Sequence, residues 1–199
     1  MMLVEETSVP TEALPVQEFR DHLRLGSGFS DDTLQDSVLE SFLRAAISAV
    51  EARTGKVVFQ QTFVWTVYGW RRGTGQGLPV APVSELLDIT LEDAQGNAVV
   101  VASSAYRLVS DANSPSFKST SGTLPSLPRD GSAAVRFVAG FGPDWGNVPA
   151  DLRQAVLLLA AHYYEFRQET TLSEGCMPFG VVSLLERYRP MRLSAGGVA

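Results

Sequence analysis

The side chains that could carry chemistry are few in this sequence: two histidines, one cysteine and a scattering of carboxylates. His162 and Glu165 stand about one helical turn apart, a spacing that can place two ligands on one face. Carboxylate metal centres built on helices need several such pairs, and the chain offers one, so a helix-surface or interface hydrogen bond is the expected role. His22, between Phe19 and Leu23, is expected as a partly buried or interface histidine. Cys176 follows Gly175 without a basic residue to lower its thiol pKa and is expected as a small apolar filler. Asp111 and Asn113 begin like a calcium loop, but the glycine and the bidentate glutamate at the later offsets are missing.

The glycines Gly73, Gly75 and Gly77 are not followed by the Lys-Ser/Thr that opens the helix of a phosphate loop. Leu78 and Pro79 lead towards a strand instead, which makes a flexible hairpin tip. No G-x-S-x-G elbow is present, and no serine is set for activation by His22 or His162. Trp65, Tyr68 and Trp70 could stack on bases, yet only Arg71 and Arg72 accompany them, so packing on a strand face is expected. No catalytic, cofactor-binding or metal-binding set emerges, and a non-enzymatic protein without cofactors is the expectation. One cluster stands out for binding: Arg187, Tyr188, Arg189, Met191 and Arg192 combine residue types enriched at protein interfaces.

The elements that would position these residues follow from hydrophobic spacing. Residues 1–14 read as an extended arm. Pro15 opens a short helix over residues 16–25, and Ser30 caps a longer one in which Leu34, Val38, Phe42, Ala45, Ala46, Ala49 and Val50 recur at helical steps up to Gly55. The period then changes to that of strands: residues 57–70, 86–92, 98–102, 106–109 and 133–139, with a hairpin turn at Gln95, Gly96 and Asn97. Residues 111–130, rich in Ser, Pro, Thr and Gly, read as a long loop. Helix returns with Asn147 or Val148 as cap and Pro149 in the first turn, running to about Gln168, and a short helix spans residues 179–188. The expected class is α+β: N- and C-terminal helices packed as a small helical bundle with an inserted antiparallel β domain. The expected division is an arm (1–14), a helical core (15–55 and 147–190), a β domain with long loops (56–146) and a C-terminal tail (191–199).

The chain has 199 residues and a net charge of −6. Its acidity is local, with ten acidic and three basic side chains in residues 1–52 and near balance beyond. A protein that grips nucleic acid needs a basic stripe, and none is visible. One cysteine excludes an intrachain disulfide framework. No stretch approaches the ~18 apolar residues of a membrane span, and Glu5 and Glu6 stand where a signal peptide needs positive charge.

Seven segments in order carry a resemblance: PVQEFRDHLRL, SDDTLQDSVLESFLRAAISAVEARTGKVV, FQQTFVWTVYGW, LPVAPVSELLDIT, AVRFVAGFG, VPADLRQAVLLLAAHYYEFR and MPFGVVSLLERYRPMRL. This succession, over about residues 15 to 193, resembles the head–tail connector (adaptor) proteins of long-tailed bacteriophages, in the version encoded by alphaproteobacterial gene transfer agents. The resemblance implies a non-catalytic ring of about twelve copies between the portal and the stopper or tail, closed by a repeated heterologous interface. It implies a central channel through which double-stranded DNA passes without specific binding. It also implies a C-terminal segment that docks on the portal, here Val181 to Leu193 with Arg187, Tyr188, Arg189, Met191 and Arg192, and a place in the virion neck after assembly in the bacterial cytoplasm. A tail-completion or stopper protein of the same particle is the alternative, and a small-molecule enzyme using His162, Glu165 or Cys176 the remote one. The acidic N-terminal quarter is a candidate lining for the channel, or else an outer or subunit-facing surface.

Overall fold

A computed structural model describes residues 2–24, 32–167 and 177–189, with the side chains of 32–34 left aside. The order of elements is β1 (Met2–Glu5), α1 (Val16–His22), α2 (Asp32–Thr54), β2 (Gln61–Val67), β3 (Gly75–Gly77), β4 (Val83–Glu92), β5 (Ala98–Val100), β6 (Tyr106–Val109), β7 (Ser116–Ser119), β8 (Ser132–Ala139), α3 (Ala150–Glu165) and α4 (Phe179–Leu185). Helices lie towards both ends and two antiparallel sheets lie between, so the class is α+β. Among the described residues no helix is long and apolar enough to cross a membrane.

Two apolar cores form. Leu39, Leu43, Ala46 and Val50 of α2 face Leu152, Ala155, Val156 and Leu159 of α3, and Val181 and Leu185 of α4 close the cluster. Small residues along the contact let the backbones approach, and Gly55, at φ 67°, ends α2 in the left-handed conformation that glycine adopts without a Cβ penalty. The second core lies on one face of a five-stranded sheet ordered β1-β2-β8-β4-β5. Phe63 and Trp65 of β2, Ile89 of β4 and Val135 and Phe137 of β8 alternate inward there. A small sheet ordered β3-β7-β6 contributes Phe117 and Tyr106 to that core.

The strand expected over residues 57–70 is shorter, because Val57 enters the β core while Val58 and Phe59 enter the helical one. Residues 57–59 are therefore a crossing between cores, and β2 begins only at Gln61. The expected loop 111–130 contains β7, whose Phe117 is fully buried. That segment is also tied to Lys56, a buried lysine whose Nζ donates to the Ala112 carbonyl and, at 2.8 Å, to Asn113 Oδ1. Burial lowers the Lys56 pKa, with Asp111 opposing. The expected arm is extended but paired, with Met2–Glu5 laid antiparallel on β2 as an edge strand. The short helix α1 ends at His22, three residues earlier than expected. Pro149 itself is the N-cap of α3, while Asn147 closes a capping box with Asp144 one turn earlier. The turn at Gln95, Gly96 and Asn97 forms as expected, with Asp93 Oδ1 accepting the Gln95 and Asn97 N–H groups. Ser30, the expected cap of α2, lies outside the described residues.

At the seam, Glu51 Oε1 accepts the Val58 N–H at 2.8 Å. Burial pushes its carboxyl pKa up to about 7, with the Val58 bond opposing and Glu5 adding to the rise. The folded state thus holds a proton that the unfolded chain releases near pH 4.5, so stability falls as pH rises from about 4.5 to 7 and stays lower above. Glu51→Gln keeps the acceptor and removes the charge. Urea unfolding between pH 4.5 and 8 is expected to show this loss, up to about 3 kcal/mol, in the natural chain and not in the variant.

Candidate assembly surface at the C-terminal helix

Pro178 caps α4, and the helix passes at Glu186–Tyr188 into a 3₁₀ turn. Val181, Leu185 and Tyr188 recur at helical spacing and are buried on α3, leaving Phe179, Ser183, Glu186 and Arg187 outward. Phe179 is 87% exposed, a large apolar side chain presented to solvent at the start of the helix.

The end of this element is fixed by one carboxylate. Asp151 stands in the first turn of α3, where the helix dipole favours negative charge. Its Oδ1 accepts the Tyr188 hydroxyl at 2.6 Å and its Oδ2 accepts Arg187 Nη1 at 3.0 Å. The Arg187 guanidinium also lies 5.1 Å from the Tyr188 ring centroid. Burial, with Asp151 as hydrogen-bond partner and neighbouring charge, pushes the Tyr188 pKa up to about 12. Arg189 reaches Glu186 at 3.6 Å with both side chains about half exposed or more, a contact of little energetic weight.

Of the five residues singled out in the sequence, the structure thus brings Arg187 and Tyr188 together on Asp151 and leaves Arg189 outward. Met191 and Arg192 lie outside the described residues. Sequence reading missed Asp151 as their common partner. Its place in the first turn after Pro149 was a signal for a helix start, but nothing local links it to a tyrosine 37 positions later.

The remaining candidates assemble no chemistry. His162 makes no hydrogen bond through its Nε2 within the chain and packs against Phe166 at 4.6 Å, so of the two expected roles the helix-surface hydrogen bond does not form. Among the described residues no three His, Cys, Asp or Glu side chains gather as metal ligands. His22 is exposed rather than partly buried, because α1 buries Phe19 and Arg20 instead. Trp65 is buried and Trp70 donates from Nε1 to the Pro125 carbonyl at 2.8 Å, whereas Tyr68, expected to pack on the strand face, is exposed. The expected flexible tip at Gly73–Gly77 contains β3, paired with β7 beside an open cleft of about 450 Å³ that Arg71, Arg72 and Lys118 line. Cys176 lies outside the described residues.

The chain superposes on the neck of an empty gene transfer agent (GTA) particle computed with C6 symmetry, at 47% identity over 98% of this chain and 99% of that one, with a TM-score of 0.90. This protein belongs to the family of gene transfer agent head–tail connectors. The virion of the native GTA particle matches at 47% identity with a TM-score of 0.86, and the neck of the native particle with C12 symmetry at 44% and 0.85, each over 98% of this chain and 99% of that chain. Neither a family model nor a curated protein matches the chain. The connector role is structural, in the particle neck, and the geometry of α4 bears on how such a connector presents its last segment.

If Asp151 sets that presentation through Tyr188, removing the hydroxyl should weaken it far more than removing the exposed Arg187 partner. Tyr188→Phe removes one of two donors to Asp151 Oδ1, the Leu152 N–H remaining, and is expected to cost about 1–2 kcal/mol in urea unfolding, the worth of one hydrogen bond to a half-buried carboxylate. Arg187→Ala, at a side chain 73% exposed, is expected to stay within about 0.5 kcal/mol. The reverse ranking would make the ion pair the anchor.

Proposed function

We propose that this connector acts as the adaptor ring of its particle: about twelve copies close a ring beneath the portal, meet the stopper or tail-completion protein below and leave a channel for double-stranded DNA. The observation that carries this reading is the match, over nearly the whole of both chains, to necks with sixfold and twelvefold symmetry. Its work is positional and involves no catalysis. Assembly takes place in the cytoplasm of the producing cell, where portal and head are made.

The helical part, residues 15–55 and 147–190, is the connector body in this reading, and the β part between carries contacts to neighbours. Docking on the portal falls to the end of the chain. Tyr188 acts from inside, holding the turn against Asp151, while Arg187, Arg189, Met191 and Arg192 meet the portal surface. The charge pattern is consistent with passage of DNA, since a channel without a basic stripe exerts no salt-dependent grip on phosphates.

A chain ending after Arg189 retains Asp151, Tyr188 and all of α4, so its body should fold unchanged. Mixed with purified portal rings, the full-length protein is expected to add a saturable, ring-sized mass by light scattering. The shortened chain, and the full chain carrying Arg189→Glu with Arg192→Glu, are expected to bind at least tenfold more weakly with unchanged unfolding temperature. Equal binding by all three would remove the docking role from the last residues. Binding of none of them, with capture of the stopper instead, would move the protein one ring lower.

A further inference from the structure

The five-stranded sheet ends in two open edges, and both are apolar. Among the described residues Met2, Leu3 and Val4 on β1 and Val99 and Val100 on β5 are exposed by 37% to 66%, and only four other large apolar side chains are comparably exposed. Neither edge carries a lysine or a proline: β1 reads MLVE, with Glu5 its only charge, and β5 reads AVV, so apart from Glu5 their shortness is what would keep them from pairing with other chains. The irregularities in the sheet lie between β4 and β8, away from both edges.

The two edges are also matched. Every neighbouring pair in the order β1-β2-β8-β4-β5 is antiparallel, so β1 and β5 run in the same direction at opposite sides of the sheet. One row of paired residues crosses the sheet from Met2 through Thr66, Ala134 and Thr90 to Val100. Leu3, beside Trp65, and Val99, beside Leu91, lie on the opposite face, the one that carries the core. Each edge therefore offers apolar side chains on both faces.

We propose that β5 of one copy pairs in parallel with β1 of the next, so that the sheets of neighbouring subunits join edge to edge around the ring. This rests on the ring reading above. A rotation that carries one copy onto the next preserves strand direction and sets one edge against the other edge, a heterologous contact that repeats until it closes. Pairing β1 with β1 about a twofold axis would bury one edge, end at a dimer and leave β5 open. Only the first arrangement uses both edges and fits sixfold or twelvefold order.

The single cysteine makes the test clean, since Cys176→Ser leaves a thiol-free chain. In that background Leu3→Cys with Val99→Cys places thiols on one face of the joint, within reach of a short bis-maleimide. Rings assembled on portal and treated with it are expected to give a ladder of covalent multimers extending to ring size on a denaturing gel. Leu3→Cys alone is expected to stay monomeric, and a covalent dimer from it would overturn the proposal in favour of twofold pairing. A second variant, Val99→Lys with Val100→Lys, changes only exposed side chains; it should leave thermal unfolding unchanged and reduce the assembled mass to monomer. Rings of full mass from the lysine variant, or no ladder from the paired cysteines in rings of verified mass, would overturn the edge joint alone. Absence of any ring from the unsubstituted chain would overturn the ring reading, and the joint with it.

Discussion

The fold depends on a double crossing between two apolar cores. The chain leaves the helical core at residues 57–59 and returns to it at residues 140–145, and the two passages lie against each other. Gly140, at φ 127°, brings its backbone so near the Phe59 carbonyl that a Cβ there would fall 2.3 Å from its oxygen. Phe59 stacks on Trp145 at 5.9 Å, and the Trp145 indole donates to Glu18 on α1 at 2.9 Å. The Gln60 N–H donates to the Gly142 carbonyl, and Glu51 accepts from Val58. These contacts hold the two halves of the helical core, which are far apart in sequence, while about two fifths of the chain makes an excursion into the sheets. Without them α2 and α3 would have to find each other across a long loop, with the closure entropy that implies.

The same economy appears at the end of the chain. A short helix cannot hold its own orientation, and α4 is held by packing and by Asp151, which meets both Tyr188 and Arg187. The carboxylate is placed by the first turn of α3, so the orientation of α4 and of its closing turn at Glu186–Tyr188 is set by the helix it packs against. A connector that must present one segment to a fixed partner gains from such an arrangement, because little freedom is then lost on docking.

Much of this was legible from residue spacing. The helix α2 ending at Gly55, the alternation of β8, the turn at Gln95 to Asn97 and the helix after Pro149 follow from local patterns and form close to where they were expected, but the buried face of α2 is Leu39, Leu43, Ala46, Ile47 and Val50 rather than the expected stripe, whose Val38 and Ala45 are exposed. Three features were not local. The run of β-branched and aromatic residues from Val57 read as one strand because periodicity does not tell which of two cores a side chain enters. Phe117 lay within a stretch of Ser, Thr, Gly and Pro that hid a four-residue strand, since a strand that short is defined by its partners. Tyr188 read as an exposed contact residue because its partner, Asp151, comes from another helix. The connector family was legible through the order of motifs and is upheld by the near full-length match to GTA necks, whereas no physical pattern in the residues alone pointed to it.

The central claim is that this chain joins head to tail. The most direct measurement is electron microscopy of particles produced by cells in which its gene is deleted and then restored. The account predicts separate heads and tails on deletion and joined particles on restoration. Tailed particles of normal form, assembled without this protein, would contradict it.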